Sequence, residues 1–284
     1  MLDALLDAGI DSLKLLPFLF VTYLAMEWME HISGDRLQRK VKAAGRWGPL
    51  WGSVLGVVPQ CGFSASSASL YSGRVIPLGT LTAVFLSTSD EMLPILISKE
   101  ISSITIFRIL GAKVLIGMIS GFLVEYLLSA VVKTREASVD IHKVCEHEHC
   151  NCREGVVMPA LRHTGKIFLH IFLISFLLNW VILMLGDRML VSIFSTVPIL
   201  GEMAAALIGM IPNCASSVVI TELYLQGIID SGAMMAGLLC NAGVGMLVLF
   251  RLNENKKENF LILGMLYLLS VFWGIFIHFS GISF

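Results

Sequence analysis

Long apolar stretches separated by short polar segments recur along the chain, and this pattern predicts membrane-spanning helices. Six such stretches lie at about 13–32, 77–97, 104–132, 164–185, 228–250 and 258–281. About 20 residues at 1.5 Å each are enough to cross a hydrocarbon core about 30 Å thick. Two further apolar stretches, 47–73 and 199–226, are broken near the middle by a polar phrase that contains proline. The pattern therefore predicts an all-α polytopic membrane protein.

The two polar phrases are copies of one another. Residues 56–64 read Gly-Val-Val-Pro-Gln-Cys-Gly-Phe-Ser, and residues 209–217 read Gly-Met-Ile-Pro-Asn-Cys-Ala-Ser-Ser. Pro59 and Pro212 are 153 positions apart, and further identities downstream keep that offset. Two copies of one unit, each with a broken helix inside apolar sequence, are typical of a secondary transporter.

Each broken stretch is predicted to form a re-entrant hairpin. Half of such a stretch is about 13 residues, which reach about 20 Å, past the midplane but short of a full crossing. Two short or tilted spanning helices are the alternative. The tips of the hairpins, 59–61 and 212–214, would then meet near the midplane, where irregular backbone is tolerated only if it lines a cavity or is buried in protein. A proline-kinked helix with small packing residues would also fit these phrases.

Charge predicts how the two copies are oriented. Three crossings per copy, together with a hairpin that returns to its own side, invert the second copy relative to the first. The basic residues of 34–46, Arg74, the central segment and 251–257 then all lie on one side, which is cytoplasmic by the positive-inside rule. Both termini lie on the opposite side.

This orientation divides the chain into three parts. We expect two inverted five-helix repeats, with the proline-broken helical hairpins meeting near the midplane. Repeat 1 covers residues 1–133, a cytoplasmic Cys/His-rich connector covers 134–160, and repeat 2 covers 161–284.

Composition excludes several other classes of protein. The 284 residues are 56% hydrophobic and 14% charged, whereas soluble domains are about 25% charged. The net charge of −1 argues against nucleic acid as a partner, because nucleic-acid-binding proteins carry basic patches. No Walker motif is present, so transport would depend on an ion gradient or run downhill.

Carboxylates inside the apolar stretches indicate what is transported. Asp90 and Glu91 lie late in the stretch 77–97, where a charge costs roughly 2.5–3.5 kcal/mol on insertion scales and so needs a compensating role. Gly243 takes the position of Asp90 in repeat 2, so the acid is no requirement of the shared architecture. We favour Asp90 as a ligand over Glu91, because Glu91 could pair with Arg108 or Lys113 on the next helix.

The predicted substrate site combines the tips with polar residues on either side of them. Its predicted residues are Gln60, Cys61, Ser64, Ser87, Thr88, Asp90, Glu91, Asn213, Cys214, Ser217, Glu222 and Asn241. Of these, four are predicted pore ligands for a metal ion: Asp90, Glu222, Cys61 and Cys214. As an alternative, the tip cysteines are small apolar packing residues.

The connector carries the densest set of metal-ligating residues. Three imidazoles and three thiols occur within eleven residues: His142, Cys145, His147, His149, Cys150 and Cys152. Such ligands suit a borderline or soft ion such as zinc. We expect this segment to capture or sense metal beside the pore, and a disordered polar linker without that role is the alternative.

The tip phrases, the Ser-Thr-Ser-Asp-Glu-Met-Leu-Pro stretch at 87–94 and the Cys/His-rich connector resemble a known family. They are similar to the bacterial ten-helix heavy-metal exporters, whose members are labelled arsenic efflux proteins or manganese transporters. The resemblance covers essentially the whole chain, and it implies efflux of a metal or metalloid across the bacterial cytoplasmic (inner) membrane.

Three functions are consistent with these features. The first is efflux of a divalent or soft metal or metalloid ion, of the manganese, zinc, cadmium or arsenite class, by alternating access. The second is a permease for an oxyanion or small organic anion coupled to protons or sodium, and the third is a membrane thiol oxidoreductase that uses Cys61 and Cys214. We favour the first function. We expect no enzymatic activity and no cofactor apart from the transported ion. The lipid bilayer is the expected partner, and a homodimer is left open.

Overall fold

The computed structural model describes residues 47–58, 61–89, 92–131, 200–253 and 255–284, with scattered positions between 17 and 24 and between 157 and 173. These residues form α-helices joined by turns, and the described part of the chain contains no strand. The predicted all-α class is confirmed for them. The predicted helices 13–32 and 164–185, the basic loop 34–46 and the connector 134–160 lie outside the continuously described ranges.

Ten helices occur within the described ranges, five in each repeat. Those of repeat 1 are α1 Gly48–Gly56, α2 Cys61–Ser72, α3 Leu78–Ser87, α4 Met92–Ser98 and α5 Ser103–Val131. Those of repeat 2 are α6 Leu200–Gly209, α7 Cys214–Leu225, α8 Ser231–Cys240, α9 Val244–Leu252 and α10 Lys256–Phe279.

The predicted stretches 77–97 and 228–250 correspond to the apolar segments Leu78–Ser98 and Ser231–Leu252, but each contains an interruption that the sequence did not predict. The first is divided into α3 and α4, and the second into α8 and α9. Repeat 2 breaks because Gly243 has φ +54°, a conformation that a helix excludes, and because the Asn241 side chain accepts a hydrogen bond from the Gly243 amide at 2.9 Å. Glycine reaches this region of φ without the steric cost that other residues meet. Each repeat therefore contains two helix interruptions rather than one.

Four segments of the described part are long and apolar enough to cross a membrane: Leu78–Ser98, Ser103–Leu127, Ser231–Leu252 and Lys256–Phe279. The two interrupted segments are the more deeply buried ones. In their most apolar stretches 75% and 89% of the residues are buried, compared with 39% for α5 and 28% for α10. Exposed apolar side chains such as Phe107 on α5 and Phe272 on α10 face outward. Within the described part of the chain, the two interrupted segments are thus the more enclosed ones, and α5 and α10 contribute more of the surface.

Corresponding helices of the two repeats pack in corresponding ways. In repeat 1, α3 packs against α1 and α5, and in repeat 2, α8 packs against α6 and α10. Glycines let the backbones touch at matching positions. A Cβ added at Gly79 would lie 2.4 Å from the Gly121 carbonyl oxygen, and one added at Gly232 would lie 2.7 Å from that of Gly274. Close backbone approach through small residues is a usual way for membrane helices to associate.

The repeats contact each other through the second halves of their broken elements. Helix α2 packs closely on α9, and a Cβ added at Gly245 would lie 2.7 Å from the backbone of Ser64. The equivalent pair, α7 and α4, shares a smaller contact. Met92 stands in α4 at the position that Gly245 occupies in α9. The two interfaces therefore differ although their sequences are related.

Ion pairs join helix ends across the repeats. Arg74, between α2 and α3, binds Glu258 in the first turn of α10 through two hydrogen bonds of 2.7 and 2.9 Å, and these bonds raise the pKa of the guanidinium. Tyr71 donates to the same carboxylate. Arg74 has φ +57°, whereas the corresponding residue of repeat 2 is Gly227, with φ +71°. A side chain is thus kept where the backbone favours glycine, and this costs about 1–2 kcal/mol.

Candidate central site

Four helix interruptions mark the candidate site. In repeat 1, α1 ends at Gly56 and α2 begins at Cys61, while in repeat 2, α6 ends at Gly209 and α7 begins at Cys214. These interruptions coincide with the two duplicated phrases. The other two lie between α3 and α4 and between α8 and α9. Each interruption leaves carbonyl groups at the end of one helix and amide groups at the start of the next without helical partners.

Within each repeat, the end of the first half-helix lies against the helix that carries the second interruption. A Cβ at Gly56 would meet the Val84 carbonyl oxygen at 2.7 Å, and one at Gly209 would meet the Gly237 carbonyl oxygen at 2.1 Å. In repeat 1, the Ser89 hydroxyl also donates to the carbonyl of Val57. The C-terminal ends of α1 and α3 therefore lie together, as do those of α6 and α8.

Lys113 connects these two pairs of helix ends. It projects from α5 and is fully buried, at 0% exposure. Its ammonium donates to the carbonyl of Thr88, directly after α3, and to that of Leu238, near the end of α8, at 3.0 Å. Helix C-termini carry partial negative charge, so they stabilise a cation. The corresponding residue in repeat 2 is Leu266, which means that only repeat 1 supplies this charge.

Hydroxyl groups near the interruptions use their protons internally. Ser87 donates to the Ala83 carbonyl at 2.8 Å and Thr88 to the Val84 carbonyl at 2.8 Å. Ser216 donates in the same way to the carbonyl of Asn213, at 2.7 Å. A hydroxyl that already donates its proton has lone pairs left. Such groups can bind a cation but have no further proton to offer an anion.

The structure buries most of the predicted site residues that it describes. Ser64, Ser87, Thr88, Asn213, Ser217 and Asn241 are all exposed by 3% or less. Asn241 already uses its side-chain oxygen to accept from the Gly243 amide. Glu222 differs: its carboxylate lies 3.1 Å from the Lys99 ammonium, and about a third of its side chain is exposed. This ion pair already engages one oxygen of the carboxylate with a cation, which makes Glu222 a weaker candidate ligand for a metal ion.

Several predicted ligands lie outside the described residues. These are Gln60, Asp90, Glu91 and the connector residues His142, Cys145, His147, His149, Cys150 and Cys152. The backbones of Cys61 and Cys214 begin α2 and α7, but their side chains are not described. In the sequence, Asp90 follows Thr88 by two residues and so comes shortly after the carbonyl that Lys113 binds. The assignment of these residues to the site stays a prediction.

Lys113 is the residue that the sequence analysis missed as part of the site. The sequence pattern suggests Lys113 only as an ion-pair partner for Glu91. A signal was available, because a lysine inside a long apolar helix is rare in membrane proteins and usually faces the protein interior. Arg108, the other candidate partner on α5, is exposed.

Comparison with known proteins provides a family but no detailed template. No curated protein matches the chain, and no solved structure matches it. One family does match, over residues 6–182, and its description reads "Putative, 10TM heavy-metal exporter". The match covers repeat 1, the connector and the beginning of repeat 2, which is more than half of the chain. This protein therefore belongs to that family of multi-pass membrane transporters.

Proposed function

We propose that the protein is a secondary transporter of the bacterial inner membrane that exports a divalent or soft metal or metalloid ion. The ion would cross through a central site at the four helix interruptions, with Asp90 as its principal carboxylate ligand. The observation that carries this proposal is the position of Lys113, a buried ammonium held by carbonyls at the ends of α3 and α8. Part of the protein interior already stabilises a cation.

The chemistry around Lys113 favours a cation over an oxyanion. Two helix C-termini point their partial negative charge at one position. The neighbouring hydroxyls of Ser87 and Thr88 have lone pairs left but no free proton. An oxyanion needs donors there, whereas a metal ion needs oxygen or sulfur ligands. The carboxylate of Asp90 would add the negative charge that a metal ion requires.

In this proposal Lys113 competes with the transported ion. Without metal, its ammonium neutralises the carbonyls, and an arriving ion displaces it. Because Lys113 binds α3 and α8 at once, its displacement would loosen a contact between the two repeats. Ion binding would thereby be coupled to a change in their packing.

Contacts at the helix ends support an inverted arrangement of the repeats. The pair Arg74–Glu258 brings the start of α3 near the start of α10, which directly follows α9. The pair Lys99–Glu222 brings the end of α4 near the end of α7, which precedes α8. The spans 78–98 and 231–252 would then run in opposite directions. Arg74, Arg251 and Lys256 share one face, which the positive-inside rule assigns to the cytoplasm.

The unequal interfaces between the repeats support alternating access. In the proposed topology, the close contact of α2 with α9 closes the cytoplasmic half of the site. The smaller contact of α7 with α4 belongs to the external half. Inverted repeats that exchange these two arrangements would expose the central site alternately to each side.

Transport by the purified full-length protein in liposomes tests the proposal. We expect flux of at least one ion among manganese, zinc, cadmium and arsenite, and none of phosphate or sulfate. Asp90→Asn should abolish that flux, because the isosteric amide removes the charge that the ion needs. Glu91→Gln is the matched control, because it neutralises the neighbouring carboxylate, over which we favour Asp90 as the ligand, and this variant should retain flux.

Substitution of the tip cysteines then distinguishes soft metal ions from manganese. Serine at both Cys61 and Cys214 should reduce cadmium, zinc or arsenite flux far more than manganese flux, because a thiolate is a soft ligand and a hydroxyl is not. Transport of an oxyanion alone, or normal metal flux in the Asp90→Asn variant, would refute the proposal.

A further inference from the structure

Three metal-ligating side chains meet away from the central interruptions, at one end of repeat 2. Glu202 lies in the first turn of α6, Asp230 is the N-cap of α8, and His278 lies in the last turn of α10. One ligand atom from each falls within 4.8 Å of the others. The Nδ1 atom of His278 is 3.1 Å from Glu202 Oε1 and is also in contact with Asp230 Oδ2.

Among the described residues, the charges in this cluster are incompletely balanced. A single ring nitrogen carries one proton at most, yet it faces two carboxylates. With a neutral imidazole the group has a charge of −2, and with an imidazolium it still has −1. The negative charge of Glu202 is shielded from solvent, because only 3% of its side chain is exposed. A cation in the position of the shared proton would interact with all three ligands.

Helix capping does not account for the cluster. Asp230 Oδ1 accepts from the Ala233 amide at 2.8 Å and so caps α8 on its own. In repeat 1, the residue that corresponds to His278 is Glu125, and its carboxylate caps α3 by accepting from the Gly79 amide at 3.0 Å. Repeat 2 therefore has its cap and, in addition, an imidazole and a buried carboxylate that the shared architecture does not require.

The geometry and the ligand types suit a transition metal. Zinc binds imidazole nitrogen and carboxylate oxygen at about 2.0–2.2 Å, which puts tetrahedral ligand atoms about 3.4 Å apart. The 3.1 Å separation of His278 from Glu202 is already close to that value. The widest pair of ligand atoms would have to approach by at most about 1.4 Å. Asp230 and His278 are 47% and 31% exposed, so solvent can reach the open side of the cluster.

We propose that Glu202, Asp230 and His278 form a second binding site for a divalent transition-metal cation, separate from the central site. The site is specific to repeat 2. In the proposed topology it lies at the external face, where an exported ion would leave the protein. Only this location rests on the proposed function, since the binding itself follows from the three side chains.

Equilibrium binding of Zn²⁺ to the full-length protein in detergent tests this site. Asp230→Asn keeps a good N-cap, because asparagine and aspartate cap helices about equally well, but it removes the charge at the ion. His278→Gln removes the imidazole ligand. Each variant should bind one Zn²⁺ fewer per chain than the wild type, or bind it at least about tenfold more weakly.

Glu125→Gln is the matched control, because it neutralises the corresponding position of repeat 1 and should leave zinc binding unchanged. Unchanged binding in both Asp230→Asn and His278→Gln would overturn the site and show that the cluster is only an ion pair. The transport assay distinguishes this failure from that of the proposed function. A protein that loses one zinc in these variants, yet moves no metal in liposomes, supports this site and refutes the transport proposal.

Discussion

Replacing Gly245 by alanine tests whether α2 and α9 separate during transport. The added Cβ would lie 2.7 Å from the carbonyl carbon and oxygen of Ser64 and 2.8 Å from its Cβ, whereas ordinary contacts begin at 3.4 Å. One helix must therefore move by about 0.7 Å or more. Overpacking of this kind costs about 1–3 kcal/mol. The atoms in conflict belong mainly to the backbone, so a change of rotamer cannot relieve the strain.

If the α2–α9 contact opens during the transport cycle, this cost falls only on the state in which it is closed. A difference of 1–3 kcal/mol changes a population ratio by about 5–150-fold. Hydrogen–deuterium exchange of the purified protein should then accelerate by that factor in peptides from 61–72 and 244–252. Peptides from α3 and α8 should keep their protection, because they remain packed in both states.

Gly264→Ala is the matched control for this experiment. It lies on the neighbouring helix α10, and a Cβ there would meet nothing within 4 Å. Exchange in this variant should equal that of the wild type. Wild-type exchange of α2 and α9 in the Gly245→Ala protein would refute the reasoning, and equal acceleration throughout the protein would show that the mutation destabilises the whole fold rather than one state.

Two further predictions concern charged residues. Lys113→Met should tighten metal binding, because the competing ammonium is gone, and should slow flux, because the ion is then released less readily. Equal dissociation constants for the variant and the wild type would contradict this prediction. Arg108→Gln, on the exposed face of α5, is the control. Glu258→Gln should lower the thermal unfolding temperature more than Arg74→Gly does. Both variants lose the ion pair, but Arg74→Gly also relieves about 1–2 kcal/mol of backbone strain at φ +57°. The reverse order of unfolding temperatures would show that the backbone at Arg74 is not strained.

The sequence alone determined the class of the protein and most of the helices in the described part of the chain. The predicted stretches 104–132 and 258–281 agree with α5 and α10, because continuous apolar runs of this length have few alternatives in a membrane. The similarity of repeat 1 to repeat 2 is also visible in the sequence, because residues at a constant offset can be compared without a structure. Family membership likewise follows from sequence.

The tertiary structure decided which polar residues come together. The interruption between α8 and α9 depends on the φ angle of Gly243, and an isolated glycine in an apolar run does not reveal its conformation. Lys113 acquires its partners only because α3 and α8, from different repeats, end beside α5. Glu202, Asp230 and His278 are far apart in the chain and on three helices, so no spacing predicts their contact. Periodicity reports what one helix buries, whereas a site is made where several helices end, and only packing brings those ends together.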